Sequence, residues 1–198
     1  MPFIHAGQDI LRSKSFDGNS YNSGDWFNIL DWSYQTTGLG RGVPLEGELD
    51  LAREYLANAA AYTPTPDQIV QSNAVFRDFL QIRNGSLLFR LRTAEDVQAR
   101  VNFHNTGPDQ VPGLIVMSLA DGGELADLDP AHDLIVVVFN ARHEAVSFTE
   151  PALAGVALAL HPVQAAGADP VVQGASYDVA SGTFEVPAFT TAVFVLGQ

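Results

Sequence analysis

From about residue 95 onward, short apolar runs recur at regular spacing and each is closed by a turn signal, which constrains the fold more than any other feature of the chain. Val97, Ala99, Val101 and Phe103 alternate with Gln98, Arg100, Asn102 and His104, the period-2 pattern of a half-buried strand. Residues 114–119 and 134–139 are continuous apolar runs suited to central strands, and shorter candidates follow at 145–148, 156–161, 176–179, 183–186 and 191–196. Asn105-Thr106-Gly107-Pro108, Asp121-Gly122-Gly123, residues 167–170 and Ser181-Gly182 punctuate them. About eight short strands over roughly a hundred residues is the count of an antiparallel β-sandwich.

The first ninety residues read differently. Thr65-Pro66-Asp67-Gln68 is a helix start, with Thr65 as N-cap, Pro66 at the first helical position and Gln68 closing a capping box. Val75, Phe76, Phe79, Leu80 and Ile82 form an apolar stripe, and Asn84-Gly85 supplies the stop. An earlier amphipathic segment runs roughly over residues 48–60, with Leu49, Ala52, Tyr55 and Leu56 on one side. Before it, residues 16–44 carry no sustained periodicity, and a stretch of that kind in a compact protein is usually either functional or misassigned.

Composition narrows the partners. A net charge of −13 excludes the basic stripe that a nucleic-acid backbone demands, and no cluster of Lys and Arg addresses an anionic membrane. There is no cysteine for a disulfide or thiolate metal site. The longest apolar runs are far too short to span a bilayer. Pro2-Phe3-Ile4 opens directly on a strand-like run, without the basic and apolar regions of a signal peptide, as though cut from a longer chain.

Within the aperiodic stretch, residues 19–28 read NSYNSGDWFN. Planar amides, a carboxylate and three aromatic rings surround a glycine. Tyr21, Trp26 and Phe27 can offer flat faces to pyranose C–H groups, while Asn22, Asp25 and Asn28 can bind hydroxyls. An Ω-loop packed on its own side chains accounts for the same residues.

Pro2-Phe3-Ile4-His5-Ala6-Gly7-Gln8-Asp9 resembles the segment that opens strand eight of the catalytic barrel in the α-amylase superfamily, with Asp9 where Glu is commoner and the leading glycine absent. Leu11-Arg12-Ser13-Lys14-Ser15, followed by Ser20-Tyr21-Asn22-Ser23-Gly24-Asp25-Trp26-Phe27-Asn28, resembles the pullulanase-type α-1,6-glucosidases. Leu80-Gln81-Ile82-Arg83 before Leu87-Leu88-Phe89 is similar to the last barrel helix and its joint to a C-terminal β-domain, and residues 101–110 to that domain's first strand and turn. The resemblance implies two parts: residues 1–88 as the C-terminal tail of a (β/α)₈ barrel, with strand eight and the last helices, and residues 89–198 as a C-terminal antiparallel β-sandwich. It implies a parent enzyme that hydrolyses α-1,6-glucosidic bonds in pullulan and branched α-glucans. Its partners would be the glucan and the remainder of the barrel, and its location extracellular, periplasmic or cell-surface. Active sites of such barrels are built from the loops that follow the strands, so residues 19–28 would border the cleft, with Tyr21, Asn22, Asp25, Trp26 and Asn28 as candidate substrate-binding residues.

Retaining glycosidases use two carboxylates about 5 Å apart. The resemblance places the nucleophile, the acid/base and a third, stabilising carboxylate after earlier barrel strands. No catalytic residue is therefore expected in this chain, and it is expected to be inactive alone. Asp9, Asp17, Asp25 and Asp31 read as loop organisers. Residues 121–129 are acidic but lack the spacing of an EF-hand, and read as a solvated loop, with a weak surface Ca²⁺ site as the alternative. His5, His104, His132, His143 and His161 lack zinc-ligand spacing; His5 would either line the cleft or sit satisfied inside the barrel. No cofactor or metal is expected here, and any Ca²⁺ of the parent would lie elsewhere. The competing reading is a non-catalytic α-glucan-binding or structural β-sandwich module, although both tryptophans, Trp26 and Trp32, precede the β-rich region.

Overall fold

The computed structural model describes residues 2–42 and 46–197, and its backbone divides into two units, Met1–Arg77 and Asp78–Gln198. Pro44, the end of the aperiodic stretch, lies outside the described residues.

In the first unit the aperiodic stretch folds into turns, with short 3-10 segments at Ser20–Asn22, Asp25–Asn28 and Glu46–Glu48. The amphipathic segment becomes α1 (Leu49–Ala57) and α2 (Ala59–Tyr62), broken at Asn58. Helix α3 (Pro66–Gly85) begins with the reciprocal capping box: Thr65 N–H donates to Gln68 Oε1 at 2.9 Å, and Gln68 N–H donates to Thr65 Oγ1 at 3.3 Å. Ile10, Phe27, Ala52 and Ile69 are the buried apolar side chains among the described residues of this unit.

The second unit is a β-sandwich. Its first element corrects the sequence reading. Residues 97–100, expected as the start of a strand, belong to helix α4 (Ala94–Arg100), and β1 is only Val101–Phe103. Thr93 decides the matter locally. Its Oγ1 accepts the N–H of Asp96 at 3.0 Å and donates to Asp96 Oδ2 at 2.8 Å, a cap that starts a helix before the period-2 pattern can act.

Strands β2 (Leu114–Ala120), β3 (His132–Asn140), β4 (Val146–Thr149), β5 (Ala159–Leu160), β6 (Ser176–Asp178), β7 (Thr183–Val186) and β8 (Thr190–Gly197) follow, with a one-turn helix α5 (Pro162–Ala165) between β5 and β6. The fifth candidate, expected over 156–161, shortens to Ala159–Leu160. A five-stranded sheet runs β1-β2-β3-β8-β5 and a three-stranded sheet β4-β7-β6, and every described pairing is antiparallel.

The larger sheet is covered on both faces, which explains the continuous apolar runs of its central strands. Val136, Val138 and Phe194 face the inter-sheet core with Phe184 and Val186 of the opposite sheet. Ile135, Val137, Val193 and Val195 pack with Ile82 and Leu88 on the other face. On β7, by contrast, Phe184 and Val186 are buried while Glu185 is exposed, the alternation of a strand with one wet face. Rings of Tyr177, Phe184 and Phe194 fill the middle, with centroids 4.7 Å apart for Tyr177–Phe184 and 5.1 Å for Phe184–Phe194.

Candidate functional site

Residues 19–28 form a loop of two linked 3-10 turns, each with a local cause. Asp17 is buried, and its Oδ1 accepts the N–H of Asn19 at 2.9 Å. Asn19 Oδ1 in turn accepts the N–H of Tyr21 at 3.3 Å; such side-chain turns are the habit of Asx residues. Gly24 opens the second turn. A Cβ there would fall 2.4 Å from the Trp26 indole, and one at Gly42 would fall 2.5 Å from it. The indole therefore lies on two glycines, where only bare backbone fits.

The five predicted binding residues fall on this one loop, and all are exposed. Tyr21 is 92% and Trp26 52% exposed, so both leave ring surface to solvent. Phe27 does not. At 4% exposure it is the anchor of the loop, with its ring 6.1 Å from that of Trp26, and it corrects the expectation of three available faces. One buried ring and two exposed ones make the loop partly self-packed and partly a surface.

A residue that the sequence reading did not single out organises the polar side. Arg12 Nη1 donates to Asn28 Oδ1 at 3.2 Å, and Arg12 Nη2 lies 3.2 Å from both ring nitrogens of His5. His5 is exposed. His5, Arg12 and Asn28 thus form a row of planar hydrogen-bonding groups beside the aromatic pair. A guanidinium that fixes an amide orients it without adding a charge change. Arginine within the quoted R-S-K-S segment was the available signal.

Two other carboxylates of this unit, Asp31 and Asp9, make structural hydrogen bonds. Asp31 accepts from Ser33 Oγ at 2.5 Å, Ser33 N–H at 3.0 Å and Thr36 N–H at 3.0 Å. The hydrogen bond from the Ser33 hydroxyl, with those of the backbone, holds its carboxyl below the usual carboxylate range. Asp9 accepts from Asn73 Nδ2 at 2.6 Å. Alongside, a groove of about 360 Å³ is lined by Arg12, Ser13, Phe16, Tyr55 and Tyr62, whose three rings stand 6.0 and 5.2 Å apart in sequence.

In the sandwich unit the polar clusters are structural. The acidic segment 121–129, expected as a solvated loop, is pinned by two buried carboxylates. Asp121 pairs with the buried Arg100 and accepts the N–H groups of Leu128 and Asp129 at 2.9 and 2.5 Å. Asp129 accepts from Ala131 N–H at 3.0 Å and pairs with His132 at 3.0 Å. His104 bridges the sheets, with Nδ1 2.9 Å from Glu150 Oε2 and Nε2 2.9 Å from Ser118 Oγ. The serine–histidine–carboxylate order matches a nucleophilic relay, but Ser118 is 6% exposed on β2, facing packed interior. Among the described residues no group of three or more His, Asp or Glu side chains is placed to hold a metal ion, and no helix is long and apolar enough to cross a membrane.

Comparison with known proteins assigns this geometry to a lineage. Residues 34–196 match the family described as alpha-1,6-glucosidases, pullulanase-type, C-terminal. The chain is 49% identical over 203 residues to the chloroplastic pullulanase 1 of Arabidopsis thaliana, covering 98% of this chain and 21% of that protein. It is 36% identical over 200 residues to a pullulanase of Klebsiella pneumoniae, covering 99% and 18%. The apo crystal structure of Klebsiella pneumoniae pullulanase superposes with a TM-score of 0.84 over 97% of this chain and 21% of that one, and its maltotriose complex gives the same score and coverage. The chain thus spans about a fifth of the length of the relatives it matches.

Proposed function

Because the chain belongs to the pullulanase-type α-1,6-glucosidase family and corresponds to its C-terminal region, we propose that it forms the C-terminal end of a debranching enzyme acting on α-1,6 bonds in pullulan and branched α-glucans. In this reading residues 1–88 complete a (β/α)₈ barrel and residues 89–198 are the β-domain that follows it. The match to pullulanases along almost the whole chain carries the reading. The edge of the molecule supports it. Phe3 is 102% and Ile4 45% exposed in a segment of no regular secondary structure, whereas a barrel strand between two neighbours buries its apolar side chains.

The chemistry of this chain is then positioning. Two carboxylates flanking the bond would come from the earlier part of the barrel. Residues 19–28 would form one wall of the cleft. Trp26 would stack on the C–H face of a glucosyl unit, Tyr21 would flank it, Asp25 would accept from a hydroxyl, and Asn22 and Asn28 would complete the polar set, with Arg12 holding the Asn28 amide. Such contacts, made away from the scissile bond, accelerate the reaction by fixing the substrate where the carboxylates act.

The test is a chimera in which this chain replaces the matching C-terminal part of Klebsiella pneumoniae pullulanase. Trp26→Ala and Asp25→Asn in the folded, active chimera should lower kcat/KM on pullulan by roughly tenfold or more, the worth of one well-buried aromatic contact. Unchanged kcat/KM for both variants would remove this loop from the cleft.

A further inference from the structure

At one end of the sandwich, two turns are tied into a single platform by a buried side chain. Asn140 is 3% exposed, and its Nδ2 donates to the carbonyls of Glu144 at 2.9 Å, Val186 at 3.2 Å and Pro187 at 2.8 Å. Its Oδ1 accepts the N–H of Arg142 at 3.0 Å. The β3–β4 turn and the β7–β8 turn are thereby held in a fixed relation. What this platform displays is unusual for a structural turn. Phe189 has φ of +51° and is 67% exposed. A bulky residue in the left-handed region is strained, and here the ring gains little burial in return. Its N–H is fixed to Arg142 O at 3.1 Å. Its ring meets His143 edge to face, with centroids 4.8 Å apart. Beside it, Arg142 pairs with Glu144 while its Nη1 donates to Pro112 O at 3.2 Å.

A strained, exposed ring packed edge to face with an imidazole, on turns that also carry the Arg142–Glu144 ion pair, has the parts of a sugar platform. The flat face suits the C–H side of a pyranose, and the planar charged groups suit its equatorial hydroxyls. We propose that Phe189, His143, Arg142 and Glu144 form a second α-glucan-binding site on the β-domain, made of other residues than the loop at residues 19–28 and engaging one or two glucosyl units of a chain. The choice of ligand rests on the glucan reading given under Proposed function. The site itself rests on the geometry of the two turns, and it supplies what tryptophan would otherwise supply in a region that has none.

The experiment is a ¹⁵N chemical-shift titration of the whole 198-residue chain with maltotriose. Saturable shifts centred on residues 141–144 and 188–190 are expected. Phe189→Gly is the decisive variant, because glycine accepts the positive φ and removes the ring without disturbing the turn. It should fold with thermal stability equal to or above that of the parent chain and bind at least about tenfold more weakly. Trp26→Ala should leave the shifts at the turns in place, which separates this site from the cleft loop. Shifts confined to residues 19–28 would leave the cleft reading standing and overturn this one, as would maltotriose binding unchanged in Phe189→Gly. An absence of saturable shifts at the two turns in folded protein would overturn it as well.

Discussion

Replacing Arg100 by methionine tests the energetics of the sandwich at its most charged point. The Arg100 side chain is 2% exposed and that of Asp121 is fully covered. Arg100 also donates to Ala120 O at 3.3 Å and Ala126 O at 2.6 Å, and its Nε lies 3.5 Å from Asp96. Methionine keeps an unbranched apolar stem but leaves the Asp121 carboxylate buried with only the two N–H groups of Leu128 and Asp129. Removing one partner of a buried ion pair costs about 3–5 kcal/mol, a large share of a typical stability of 5–15 kcal/mol. For a unit of this size each kcal/mol moves Tm by roughly 3–5 °C, so a fall of about 9–25 °C follows. Thermal melting followed by far-UV circular dichroism is the assay, because residues 78–198 contain no tryptophan. Adding Asp121→Asn removes the stranded charge while keeping the acceptor oxygen, so the double variant should be more stable than the sum of the single costs requires. Strict additivity, or a loss below about 1 kcal/mol for Arg100→Met, would refute the reasoning.

Phe184 is fully buried between Tyr177 and Phe194, so Phe184→Ala should cost about 3–5 kcal/mol and lower the denaturant midpoint without changing the slope. Burial, and then the neighbouring His132, hold the His161 imidazole below its ordinary value against the opposing pull of Asp129. The folded chain therefore carries fewer protons there than the unfolded one. The stability that depends on neutral His161 is complete above the ordinary histidine value of about 6.5 and is lost as pH falls below it. His161→Asn should flatten that acid-side decline in urea unfolding, and identical slopes for the two proteins would count against it. Amide exchange at residues 3–6 should outpace that of β3 by at least about 100-fold, given the exposure of Phe3; equal protection would mean the segment is a folded edge.

The strands of the sandwich were legible because each apolar run is closed by its own turn residues, and the start of α3 because Thr65 and Gln68 lie within one helical turn of each other. Helix α4 was hidden by coincidence. Residues 97–103 satisfy the alternation of a strand, and only the Thr93–Asp96 cap, outside that window, breaks it. The burial of Asp121 could not be read locally, since its partner Arg100 is 21 positions away and occupied a polar slot of the presumed strand. In the candidate loop the composition announced rings and amides, but an aperiodic segment gives no sign of which ring anchors it. The structure assigns that part to Phe27 and leaves Trp26 on the surface. Phe189 gave no warning either, because no glycine or asparagine marks its left-handed turn.

The most direct test of the whole account is the release of reducing ends from pullulan by two folded proteins at equal molarity: the 198-residue chain alone, and its chimera with the preceding part of Klebsiella pneumoniae pullulanase. The chain alone is expected to release none above buffer, because the two flanking carboxylates are proposed to lie in the earlier part of the barrel, while the chimera is expected to hydrolyse pullulan. Hydrolysis by the isolated chain that disappears when one of its own acidic residues is replaced would contradict the account, and so would a folded chimera with no activity.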